Sequence, residues 1–199
     1  SFEFNNYHYP GSNAYQQGYI LDDNGNLNPK NKWTYSLIEP AFDFIKSELD
    51  YKYDNYDIFG HSGGGQFVHR FVEFVPNSRV NRAVAANSGW YTMPDSTISF
   101  PYGLGGTSSS QLDIQNAFNK NLQIHLGTND NNPNDPSLRK TPEANIQGAH
   151  RLERGRYFIS KSDSIANNYN FSFNWLKLEV PNVAHNGQLM SNFAAQELF

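Results

Sequence analysis

Apolar positions along the chain switch repeatedly between two rhythms. In TYSLIEPAFDFIKSEL, residues 34–49, Leu37, Ile38, Ala41, Phe42 and Ile45 fall at helical spacing, with Thr34 or Ser36 as cap and Pro40 in the first turn. YDIFG, residues 56–60, is a short apolar run bounded by a glycine and reads as a buried strand. Residues 63–75 return to the helical period with Phe67, Val68, Phe71, Val72 and Val75. The alternation continues: a strand over 81–87 (NRAVAAN), a helix over 110–118 (SQLDIQNAF) and a strand over 121–127 (NLQIHLG). A long helix over 142–168, broken near Gly155, is followed by a strand over 174–180 (NWLKLEV) and a last helix over 187–199. Residues 1–32 have little periodicity and read as loop. Helices alternating with short apolar strands predict an α/β fold, a mostly parallel sheet with helices on both faces, and the whole of 1–199 as one domain.

In such sheets, reacting groups gather beyond the carboxyl ends of the strands. Those ends carry His61-Ser62-Gly63, then Ser88-Gly89-Trp90-Tyr91, then Gly127-Thr128-Asn129-Asp130, then Asn182-Val183-Ala184-His185. Gly60-His61-Ser62-Gly63-Gly64 fits G-x-S-x-G between a strand and a helix. There a serine sits on a sharp turn, and the residues two before and two after it crowd each other. Such a serine needs a base and an acid that orients the base. His185 is the histidine at a strand end. His69 lies inside a helix, His125 in a strand, His150 mid-helix and His8 in the leading loop, while His61, beside the serine, reads as pocket wall. Asp130 is the acid nearer the third strand's end, and Asp135 competes with it in the same turn-rich loop. Trp90 and Tyr91 follow the second strand and are expected to contact substrate or to pack beneath the long loop after them.

Composition removes several classes of function. Of 199 residues none is cysteine, so disulfides and thiolate chemistry are absent from this chain. The net charge is −4 with no basic run, which argues against nucleic acid or an anionic membrane as partner. The sequence contains no apolar stretch of bilayer-spanning length. Aromatic content of 15% suits a core and a groove alike, and the asparagine- and tyrosine-rich loops lean towards an exported protein.

The segments FGHSGGGQFVHRF, AVAANSGWYTMP, LGTND and VPNVAHNG resemble the α/β-hydrolase superfamily, in particular bacterial esterases related to polyhydroxybutyrate depolymerases, feruloyl esterases and dienelactone hydrolases. The resemblance implies a serine hydrolase of carboxylic esters, small or polymeric, with no metal or organic cofactor. It implies Ser62 as nucleophile, His185 as base and then acid, Asp130 as its orienter, and the Gly63 amide as an oxyanion donor. His61, Trp90 and Tyr91 would line the substrate pocket, together with the loop YPGSNAYQQGY, residues 9–19. The family has an eight-stranded sheet and a second oxyanion amide on an HGG-type loop, and no such loop precedes Ser62. Residues 1–6, SFEFNN, look like the tail of the family's fourth strand. The expectation is a fragment, or a chain completed from elsewhere, with an open edge beside the Ser62 strand that favours self-association. One missing oxyanion donor would cost about a hundred- to a thousandfold in turnover. A peptidase of the same superfamily and a non-catalytic binding protein on this scaffold are the competing readings.

Overall fold

The computed structural model describes residues 4–5 and 7–198. Four strands, β1 (Tyr56–His61), β2 (Val80–Ala86), β3 (Asn121–Gly127) and β4 (Leu176–Val180), form one parallel sheet in the spatial order β1-β2-β3-β4. After the four-residue α1 (Gly11–Ala14), the helices are α2 (Ile38–Glu48), α3 (Gly63–Phe74), α4 (Gln111–Phe118), α5 (Pro142–Gln147), α6 (Arg151–Tyr169) and α7 (Gly187–Leu198).

Strand order equal to chain order requires successive crossovers of one hand, which put their helices on one face of the sheet. Side chains alternate across each strand, so β2 divides its residues between two cores. Ala83 and Ala85 join Phe67, Phe71, Phe118 and Phe158 on the α3/α4/α6 face, whereas Val84 and Ala86 face α7, with Ala194 and Met190. Both faces are therefore covered, and the carboxyl ends of all four strands open at one rim. Among the described residues β1 is an edge strand, with α2 beside it through the Phe42–Tyr56 ring pair at 4.8 Å. A largely apolar groove of about 630 Å³ runs along that edge, lined by Ile38, Phe42, Tyr56 and Ile58 among others.

Several boundaries depart from the sequence reading for local reasons. The first expected helix begins as a 3-10 turn over Thr34–Leu37, and α2 has no side-chain cap; Thr34 Oγ1 donates to the Ala14 carbonyl and Ser36 Oγ to that of Lys30. The long helix breaks at Gly148, not Gly155. Gly148 sits at φ 146°, where L side chains are strained, and α6 restarts after the His150 side chain caps it. Gly155 lies within α6 because Leu126 fills the space a Cβ would need. Residues 7–32 are loop apart from α1, an isolated antiparallel bridge between Leu21 and Leu27 and a turn at Lys30–Lys32. The expected strand tail over residues 1–6 falls mostly outside the described residues, and Phe4 and Asn5 have no regular structure.

Candidate active site

Ser62 connects β1 to α3 at φ 56° and ψ −113°, outside the regions an L residue ordinarily occupies. Three contacts hold it there. The Ser62 amide donates to the Ala86 carbonyl at 2.9 Å, and its own carbonyl accepts from Gln66 N at 3.0 Å. Gly60 lies so near the Gly64 carbonyl that a Cβ on it would come within 2.2 Å of that oxygen. Gly65 is confined in the same way, since its Cβ would meet the Ala86 carbonyl and Ser88 Oγ at 2.7 Å. Gly64 is not confined; a Cβ there would touch only the Tyr15 hydroxyl, at 3.7 Å. The crowding expected on both sides of the serine is thus real for Gly60 and shifts from Gly64 to Gly65.

His185 reaches this corner from the loop after β4. Its Nε2 is 3.0 Å from Ser62 Oγ and its Nδ1 is 2.7 Å from Asp130 Oδ2. A carboxylate accepting at Nδ1 keeps the ring proton there, which leaves Nε2 free to accept from the serine hydroxyl. Asp130 is nearly sealed from solvent, as is Arg151 at the start of α6, which donates to Asp130 Oδ1 at 3.2 Å and to Asp135 Oδ2 at 3.1 Å. Asp135, the alternative acid, therefore bonds Arg151 and Ser137 rather than His185, and those donors hold its carboxyl well below the usual range. Asn87 ties the loops together: its Oδ1 accepts from Gly127 N at 2.8 Å and its Nδ2 donates to the Ala184 carbonyl at 3.1 Å.

The remaining expected residues separate. His61 packs its ring against His185, centroids 4.6 Å apart, and burial together with that neighbour lowers its pKa to about 4, so it stays neutral near pH 7. It therefore adds bulk rather than charge beside His185. Trp90 lines a cavity of about 360 Å³ that also contains Ser62 and Gly63. Tyr91 does not line it. Its ring is fully buried, stacked on Phe158 at 4.5 Å and beside His69 at 5.0 Å, so packing under the loop is its role. His69 is a core residue too, bonding the Gly65 carbonyl through Nδ1 and the Thr92 amide through Nε2.

Of four further residues around Ser62, Gln16 alone lies in a segment expected at the pocket, the loop over residues 9–19. Gln16 comes from the aperiodic leading segment, and its Nε2 would lie 2.9 Å from a Cβ on Gly63, while its Oε1 accepts from Ser12 Oγ at 2.9 Å. Gln66, Arg139 and Arg151 also line the cavity. The larger groove at the β1 edge shares none of these lining residues. Among the described residues no group of three or more His, Asp or Glu could hold a metal ion, and no helix is long and apolar enough to cross a membrane.

No protein-family model matches the chain, and no curated protein matches it. Solved structures do. The chain is 43% identical to poly(aspartic acid) hydrolase-1 from Sphingomonas sp. KT-1, with a TM-score of 0.95 over 98% of this chain and 74% of that one. It is 32% identical to LpqC, a poly(3-hydroxybutyrate) depolymerase from Bordetella parapertussis, with a TM-score of 0.93 over 98% of this chain and 66% of that one.

Proposed function

The chain belongs to the α/β-hydrolase esterase group that includes these two enzymes, and from that premise we propose that it is a serine hydrolase cleaving carboxylic esters through Ser62, His185 and Asp130. The observation that carries this reading is the unbroken hydrogen-bonded relay from Asp130 Oδ2 to His185 at 2.7 Å and from His185 to Ser62 Oγ at 3.0 Å, joining residues from three strand ends.

In this mechanism Ser62 Oγ bonds to the ester carbonyl carbon as its proton passes to His185 Nε2. Asp130, accepting from Nδ1, stabilises the imidazolium that forms. The carbonyl oxygen becomes an oxyanion held by the Gly63 amide at the positive end of α3. Gln16 Nε2, over the same glycine, is the second donor, held by Ser12. Collapse of the intermediate expels the alcohol, which takes the proton back from His185, and leaves Ser62 acylated. Water then repeats the sequence: His185 takes its proton as its oxygen attacks the acyl carbon, the bond to Ser62 Oγ breaks, Oγ takes the proton back from His185, and the free acid leaves.

The test compares hydrolysis of p-nitrophenyl acetate and butyrate by the protein and by its Ser62→Ala variant, with a fluorophosphonate label as reporter of the nucleophile. The expected outcome is labelling of the parent alone and loss of turnover in the variant, up to roughly a millionfold in a complete triad. Equal rates in the two folded proteins, or a folded parent that neither labels nor turns over, would overturn the reading.

A further inference from the structure

The cavity beside Ser62 has an unbalanced charge. Its charged lining residues are Arg139 and Arg151, with no carboxylate among them. Arg151 is already paired with Asp130 and Asp135 and bonded to Ser137 through its terminal nitrogens. Arg139 is not. Its Nε donates to the Tyr102 hydroxyl at 2.6 Å, and among the described residues neither terminal nitrogen has a partner and no carboxylate pairs with it. Its guanidinium lies 4.7 Å from the centre of the Trp90 ring, and Arg70 lies over the same ring at 4.1 Å.

Arg70 is fully buried and, among the described residues, bonds only neutral acceptors, Thr92 Oγ1 and the Gln16 and Gln66 oxygens, with Nη2 unpartnered. The carboxyl near it is Glu73, which burial drives towards its neutral form and whose oxygens are both unpartnered. Two guanidinium groups thus share one indole, and among the described residues no carboxylate is hydrogen-bonded to either. The ring face attracts each of them, against their mutual repulsion. A carboxylate would offset it, and the free end of Arg139 presents two donors in the fork that matches one.

We propose that Arg139, backed by Trp90 and Arg70, forms a carboxylate-binding subsite of the Ser62 cavity, so that the preferred substrates are acyl compounds carrying a second, ionised carboxyl group. The proposal builds on the serine-hydrolase reading for the position of the scissile bond. The subsite itself stands on the charge and geometry of Arg139. Short dicarboxylic half-esters are the simplest members of the class, with one end acylating Ser62 and the other paired with Arg139.

Two measurements separate the subsite from the catalytic reading. The first compares kcat/KM for the p-nitrophenyl half-ester of glutarate with that for p-nitrophenyl valerate, in the parent, Arg139→Gln and Arg139→Lys, each checked for an unchanged thermal midpoint. The ratio of anionic to neutral ester should exceed one in the parent. It should fall about tenfold in Arg139→Gln, recover partly in Arg139→Lys, and shrink as salt is raised. The second uses Ser62→Ala, which needs no turnover, and measures calorimetric binding of monomethyl glutarate against dimethyl glutarate. Monomethyl glutarate should bind about tenfold more tightly, and adding Arg139→Gln should abolish the difference. A parent that shows no preference, or a preference that survives Arg139→Gln, overturns the subsite. Loss of all hydrolysis with the binding preference intact would instead overturn the esterase reading alone.

Discussion

The two corners that meet at His185 are held by different forces. At the serine corner the backbone does the holding: Ser62 is kept in a strained conformation by Gly60 against the Gly64 carbonyl and Gly65 against Ala86, and among the described residues its side chain has a single partner. At the acid corner side-chain charge does the holding: Asp130 lies between His185 and Arg151, with Asp135 completing the pairing of that arginine. A backbone constraint tolerates no added atom but is indifferent to charge. A charge constraint tolerates changes of shape but not of sign. The two corners should therefore fail in different ways when altered.

The largest expected effect comes from Asp130→Asn, which removes charge and leaves shape. Arg151 retains Asp135, so the thermal midpoint should move by only a few degrees. Turnover of p-nitrophenyl butyrate should fall about ten-thousandfold, because the amide no longer fixes the Nδ1 proton or stabilises the imidazolium. A loss below tenfold would mean that Asp130 does not orient His185, and Asp135 would become the residue to change next. A collapse of the fold would erase the contrast between the corners, since the charge would then be holding structure rather than chemistry.

Gly60→Ala makes the opposite change, adding one methyl group and no charge. The group would come within 2.2 Å of a backbone oxygen that cannot rotate away. Overpacking against backbone of this kind costs about 3 kcal/mol, roughly a 10 °C drop in midpoint for a chain of this size. Activity should fall with it, because Ser62 moves when the turn relaxes. A variant that unfolds at the parent's temperature would show that the corner yields, and the backbone account of Ser62 would fail.

The same difference in forces explains what could be read from the sequence. A backbone constraint writes itself locally, as glycines and a serine within a few residues between a strand and a helix, so Ser62 stood out. The sheet was legible for a similar reason, since β1 to β4 are short apolar runs between periodic helices. A charge constraint recruits partners from far along the chain. Arg151 lies 21 residues from Asp130 and Arg139 sits in a turn-rich loop, so neither carried a local signal, and Gln16 was legible only as part of the loop over residues 9–19. Tyr91 shows the converse: its place after a strand suggested the pocket, yet its ring turns inward to stack on Phe158. Gly155 misled because a glycine inside a helical pattern looks like a break, while here it makes room for Leu126.

The smallest expected effect tests the serine corner most finely. In the G-x-S-x-G pattern Gly60 and Gly64 are equivalent, whereas in the structure they are not. Gly64 occupies the first turn of α3 without a positive φ, and a Cβ there meets the Tyr15 hydroxyl at an ordinary contact distance of 3.7 Å. Glycine in a helix is less favourable than alanine by about 0.5–1 kcal/mol, because the unfolded chain has more freedom to lose. Gly64→Ala should therefore raise the thermal midpoint by roughly 1–4 °C. Turnover should stay within about threefold, since no donor or reacting atom moves. If Gly64→Ala instead destabilises as Gly60→Ala does, the pattern's symmetry is structural after all, and the close contact that forces glycine must lie on both sides of the serine. If it stabilises, the constraint runs from Gly60 to Gly65, and the second glycine of the pattern is free to vary.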